Sequence, residues 1–223
     1  MATRTLRQAM AGLAVATMGL ATAATADAAP LSTTAATTIW YFTNPGGSIN
    51  DPNQQALPTN PGATPANLIY TGSYTGAFDF AATSNSIGNF LGSAGGTFTD
   101  PLPADILDDP ISTSPFSITT LIRFTFTLDE AITGTITHDD GISIFAAGDT
   151  TTALVDSALP TPPTGTAYTL DAGTYDLWYV QANGLPAVLQ FDVAGPVPEP
   201  ATLALVGMAL LGLGLAVRRR RVL

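Results

Sequence analysis

The sequence predicts an all-β protein: an antiparallel β-sandwich flanked by a signal peptide and a C-terminal transmembrane helix. Three observations carry the prediction. Between about Ala35 and Val193, short runs rich in Thr, Ile, Phe, Tyr and Val are broken by Gly, Pro, Asn and Asp at intervals of roughly 8–12 residues, the rhythm of a sandwich. Apolar residues alternate with period two in "RFTFTL", where Phe124, Phe126 and Leu128 share one face and Thr125 and Thr127 the other. Helical periodicity is sustained nowhere in this stretch.

In chain order, strands are predicted at "TTIWYFT", "NLIYTG", "GAFDF", "SITTLIRFTFTLD", "ITGTITH", "GISIFAA", "TAYTL", "GTYDLWYVQA" and "PAVLQFDV". Their β-branched and aromatic residues suit a pleated, half-buried surface. In "TYDLWYV", Tyr175, Leu177 and Tyr179 oppose Asp176, Trp178 and Val180, so both faces are largely apolar and the strand is predicted to be central. The stretch "TNPGGSINDPNQQALPTNPGATPAN" is proline-rich without an apolar run, which predicts a long loop, mobile in part. "DPLPADILDDPISTSP", holding Asp108 and Asp109, reads as a solvated acidic loop, and "PTPPTGT" as a stiff connector. His138-Asp139-Asp140-Gly141 reads as a hairpin turn between two apolar strands, with Gly141 supplying the positive φ.

The two ends stand apart from this pattern. Residues 1–28 carry Arg4 and Arg7, then an uncharged apolar stretch, then small residues at Ala24-Thr25-Ala26 and Ala26-Asp27-Ala28. That order is a secretory signal peptide, cleaved after Ala26 or Ala28. At the other end, Pro200 to Val217 are uncharged and Thr202 is their only polar side chain. As a helix they rise about 27 Å, close to the hydrocarbon thickness of a bilayer. The helix proper is placed at 201–217, and Arg218, Arg219, Arg220 and Arg221 follow as a stop that stays in the cytoplasm. Signal peptide and arginines agree on an N-out, C-in precursor in the inner membrane.

Removing the ends exposes an unusual charge balance. Between Ala29 and Val197 the chain has one basic residue, Arg123, against fifteen Asp and Glu. Such a surface repels nucleic acid and anionic headgroups and attracts cations, so nucleic-acid binding is excluded. Cysteine is absent, which removes disulfides, thiolate metal sites and cysteine nucleophiles together. The span 29–193 is nonetheless long enough to bury a core unaided.

Before the helix, 194–200 reads as a linker, and Pro198-Glu199-Pro200 within it is a rigid extended tripeptide presenting one carboxylate. The order of "VPEP", apolar run and "RRRR" over 197–221 resembles the PEP-CTERM sorting signal of Gram-negative bacteria. The resemblance implies processing by an exosortase, a membrane cysteine transpeptidase-like enzyme, and delivery to the cell surface or extracellular matrix.

Within the ectodomain, "ITHDDGISIFAAGD" holds the adjacent carboxylates Asp139 and Asp140. As a bare turn they are solvated. With Asp149 or an Asn from another loop they form a hard-oxygen site for Ca²⁺. The run "FTFTLDEAITGTITHDDGISIFAAGD", with the later "GTYDLWYVQANGLPAVLQFDV", resembles the core of PA14 domains over Phe124–Val193. That resemblance implies an extracellular β-sandwich. In the family's lectin members an Asp-Asp pair, often joined by a cis peptide, holds Ca²⁺ that binds sugar hydroxyls. The pair falls on Asp139 and Asp140, although the family's aromatic-aspartate-glycine after the second strand is reduced here to Ala147-Gly148-Asp149.

His138 is the only histidine, too few for a His-based zinc site. It lacks a G-x-S-x-G partner, and its neighbour Asp139 points to the opposite face of the strand. No catalytic residue is therefore assigned. Trp40 and Trp178 read as core rather than as sugar platforms. The expected role is an exported binding or structural module associated with exopolysaccharide, Ca²⁺-dependent if the pair binds. Two other readings stand beside it: a secreted polysaccharide hydrolase, and a purely structural matrix component with Thr residues as glycosylation sites.

Overall fold

The computed structural model describes residues 28–44 and 47–194. The alternating runs become twelve strands: β1 (Ala29–Pro30), β2 (Ser32–Thr43), β3 (Leu68–Ala77), β4 (Asp79–Ala81), β5 (Thr97–Phe98), β6 (Ile118–Leu128), β7 (Ile132–Asp139), β8 (Gly141–Ala146), β9 (Ala153–Ser157), β10 (Thr164–Leu170), β11 (Gly173–Gln181) and β12 (Val188–Val193). One sheet has the order β1-β12-β7-β10, with β4 also on β12. The other runs β5-β3-β2-β6-β11-β8-β9. The strand neighbours all run antiparallel. This is the predicted sandwich. The signal peptide (of whose residues Ala28 alone is described) and the predicted C-terminal helix lie outside the described residues. Among the described residues no helix is long and apolar enough to cross a membrane.

The core between the sheets is aromatic. Phe124 and Phe126 of β6 point inward as their alternation predicts, and meet Tyr74, Phe78, Phe80 and Phe191. The Phe78 and Phe124 rings pack edge to face, with centroids 4.9 Å apart at 74°, the arrangement that ring quadrupoles favour. Strand β11 lies between β6 and β8 and is buried along nearly its whole length, so it is central as predicted. "GAFDF" is not one strand: β3 ends at Ala77, the fully buried Phe78 turns the chain, and β4 joins the opposite sheet.

A second core covers the outer face of the larger sheet. Trp40, Phe42, Leu121, Phe145, Trp178 and Val180 pack there beneath Ala56, Leu57 and Ala63 of the long loop after β2. The loop is therefore packed down at Ala56, Leu57 and Ala63, while Ser48, Ile49 and Asn50 stay exposed. Polar anchors, invisible to a search for apolar runs, hold it. Gln54 is fully buried, accepts from Thr119 Oγ1 at 2.7 Å and donates to the Phe116 carbonyl at 3.3 Å. The Asn60 amide donates to the carbonyls of Gln55 (2.7 Å) and Asn53 (3.1 Å). Trp40 and Trp178 stack at 5.6 Å and 12°, and the Arg123 guanidinium lies 6.0 Å and 5.7 Å from their ring centres. These tryptophans are core, with a cation–π contact.

The short strands β1, β5 and β9 have no counterpart among the predicted runs, and neither does the one α-helix of the described residues. Helix α1 (Ile87–Ser93) is two turns capped by Ser86, whose Oγ accepts from the Asn89 N–H at 3.2 Å. Ile87, Phe90 and Leu91 are buried at spacings of three and four, too short a run to register as periodicity.

Candidate functional site

The Asp139-Asp140 segment is where the chain changes sheets. β7 pairs with β12 and β10, whereas β8 pairs with β11 and β9, so β7 and β8 are not a hairpin. The expected turn is an inter-sheet corner. A local Asp-Gly signal reports a reversal but not the partners each strand finds elsewhere in the chain. Gly141 is also needed for a different reason from the one expected. It is not among the residues with positive φ. Its site is crowded instead: a Cβ there would run into the carbonyl of Ala158.

The backbone of this corner is held from inside. The Asp139 carbonyl accepts from Tyr179 Oη at 2.5 Å, a proton shared with Gln181 Oε1 at 2.6 Å. The Asp140 carbonyl accepts from His138 Nδ1 at 2.6 Å and Thr161 Oγ1 at 3.2 Å. His138 is fully buried, and burial holds its pKa below the ordinary value. With Nδ1–H donating to a carbonyl, Nε2 is left to accept from Thr166 Oγ1 at 2.8 Å. The histidine thus braces the corner from the core side while Asp139, next along β7, faces the other way. The peptide joining Asp139 and Asp140 is cis.

With their carbonyls engaged inward, the two acids present their side chains to a cleft of about 360 Å³. Asp140 Oδ2 accepts from the N–H groups of Ala182 (2.7 Å) and Asn183 (2.9 Å). Among the described residues, nothing donates to the Asp139 carboxylate; when protonated it is itself the donor, to Asp140. Both acids are buried, at 5% and 3% exposure. Burial pushes the Asp139 carboxyl up to about 7, and the neighbouring Asp140 charge adds to the rise. Burial also raises Asp140, to about 6, against the pull of its two backbone donors. Around the pair stand the exposed Asn183, Thr161, and an apolar rim of Ile49, Phe116, Leu185 and several prolines. Phe116 sits at φ +56°, a left-handed conformation that costs a bulky residue about 1–3 kcal/mol.

The donor chemistry fits a hard cation. Two desolvated carboxylates repel each other, and Arg123, the only basic residue among the described ones, is engaged on the tryptophans. Asn183, with an amide oxygen suited to a hard cation, also lines the cleft. Asp149, named in the sequence reading as a partner, does not reach it. It lies beyond the far end of β8, roughly 20 Å along the strand, where Thr151 N–H, Thr151 Oγ1 and Thr152 N–H bind its exposed carboxylate at 2.8, 2.8 and 3.2 Å. Asp108 and Asp109 do not line the cleft. Among the described residues no three His, Cys, Asp or Glu side chains converge, so a cation here would complete its shell with oxygens of Asn183, water or a ligand. Asn183 was legible only as "an Asn from another loop", because the β11–β12 connection that delivers it has no local signature.

The fold and cleft define a β-sandwich with an acidic inter-sheet corner opening to solvent. Residues 196–221 match the PEP-CTERM protein-sorting motif, so the chain bears the signal of an exported protein sorted through the membrane. The motif residues Pro198, Glu199 and Pro200, the helix at 201–217, and Arg218, Arg219, Arg220 and Arg221 lie outside the described residues. Two solved structures are similar to this chain. The PA14 sugar-binding domain from an RTX adhesin is 13% identical and covers 74% of this chain and 99% of that one, at a TM-score of 0.49. The PA14 domain of the MpAFP antifreeze protein is 14% identical and covers 78% and 98%, at 0.43. No curated protein matches the chain.

Proposed function

We propose that the domain is a calcium-assisted saccharide-binding module of an exosortase-processed protein held at the cell surface or in an exopolysaccharide matrix. One observation carries the reading: two buried carboxylates face an open cleft with no cationic side chain among the described residues that line it. Ca²⁺ takes about six to eight hard oxygens. Asp139, Asp140 and Asn183 supply fewer, which leaves coordination positions for vicinal hydroxyls of a sugar. The rim of Ile49, Phe116 and Leu185 offers apolar surface to the sugar's C–H faces, and the prolines keep that rim stiff. The role is binding, and no reaction is assigned to the cleft. Glycan-array binding of the full chain, with calcium and with chelator, tests the proposal. Binding to neutral glycans that chelator abolishes supports it; calcium-independent binding, or none, overturns it.

A further inference from the structure

The acidic cleft does not end at its rim. A second cleft of about 630 Å³ adjoins it, lined by Asn50, Gln55, Leu57, Asp156, Leu159 and Thr161 among others. The two share Thr161, and their walls are consecutive in the chain: Ile49 lines the first and Asn50 the second, Pro160 the first and Leu159 the second. They are one groove with a saddle at Thr161. The saddle is tied to the acidic corner, because Thr161 Oγ1 donates to the Asp140 carbonyl. The floor of the second cleft is fixed as well. Ala56 N–H donates to the Ala158 carbonyl at 2.9 Å, and Ser143 Oγ donates to the Ala56 carbonyl. The packed loop and β9 are thereby clamped to one another.

What lines the second cleft resembles neither core nor a cation site. The side chains of Asn50, Gln55 and Asp156 make no hydrogen bond within the described residues, while Leu57 and the exposed Leu159 add apolar surface. Amide and carboxylate groups free to pair, beside aliphatic patches, are suited to hydroxyls and C–H faces in alternation. No basic residue lines either cleft, and three carboxylates do. Anionic chains would meet like charge.

We infer that the groove binds a neutral oligosaccharide of two or more residues, one at the Asp139-Asp140 corner and the next against Asn50, Gln55 and Asp156 beyond Thr161. This rests on the calcium-site reading and adds a chain-length preference and a charge preference to it. The test is calorimetric titration of the full chain in detergent, with calcium, using neutral gluco-, manno- and galacto-oligosaccharides of one, two and three residues. A uronate trimer serves as the anionic control. The expected result is an affinity gain of about tenfold from one residue to two, the worth of one or two net hydrogen bonds, with the uronate binding more weakly than the neutral trimer. Combining Asn50→Ala with Asp156→Ala, both exposed, removes the gain and leaves monosaccharide affinity unchanged. Equal affinity for one and two residues, or a gain that survives the double substitution, overturns the inference while leaving the calcium site intact. Absence of any calcium-dependent sugar binding overturns both.

Discussion

The carboxyl pair makes calcium binding and pH inseparable, and the consequence can be worked through. Asp139 and Asp140 titrate near 7 and 6 in the folded domain, above the ordinary aspartate value of about 4. The folded state therefore holds protons that the unfolded chain has already released. Metal-free stability is greatest below about pH 4 as far as this pair is concerned, and is lost as pH climbs through 4 to 7. Calcium competes for the same oxygens. At pH 8 the pair is ionised, and calcium at a hundred times its Kd stabilises the fold by about 2.7 kcal/mol. For a domain of this size that is a rise in Tm of roughly 5–11 °C. At pH 5 the ion must displace protons two units below one pKa and one unit below the other, which weakens its affinity about a thousandfold. The same calcium concentration then shifts Tm by less than about half a degree. Scanning calorimetry of the full chain with calcium or chelator, at pH 5 and pH 8, checks both values. Equal shifts at the two pH values, or none at pH 8, would refute the reasoning.

Asp139→Asn sharpens the same test, because no group among the described residues donates to the Asp139 carboxylate. It should raise metal-free stability at pH 8 by about 1–3 kcal/mol, through relief of a buried charge and then of like-charge repulsion, and eliminate the calcium shift. Gly141→Ala should cost about 1–3 kcal/mol in urea unfolding, since its Cβ meets the Ala158 carbonyl; a loss under 0.5 kcal/mol, taken as roughly the neutral range, would show that the corner yields. Gln54→Ala leaves the buried Thr119 hydroxyl without its acceptor. It should cost about 1–3 kcal/mol and speed amide exchange across the loop before β3. Replacing Pro198-Glu199-Pro200 with three alanines should leave the arginine-ended precursor in membrane fractions, read by mass spectrometry of the C-terminal peptide.

The parts of the fold written in alternation could be read directly. Phe124, Phe126 and Leu128 point inward, and β11 is central, because a two-residue period with apolar residues on one or both faces leaves a strand few places to go. What escaped depends on partners distant in sequence. β9 pairs only along one side of β8, and its five residues alternate too briefly to be seen. The loop over the second core is bound by Gln54 and Asn60, whose burial is decided by Thr119, Phe116 and the loop's own carbonyls. The corner looks like a hairpin in the sequence because Asp-Gly speaks only for the local reversal. The acids themselves could be singled out; Asn183, Thr161 and the rim could not. They arrive from the loop after β2, the segment before β6 and the β9–β10 and β11–β12 connections, and no spacing rule links them to residue 139.

The most direct measurement is diffraction from crystals grown with calcium, with anomalous data to identify the ion. The proposed chemistry requires a peak in the cleft with carboxylate oxygens of both Asp139 and Asp140 at about 2.3–2.6 Å. Saturating calcium with only water-like density between those carboxylates, or an ion held by neither, would contradict it.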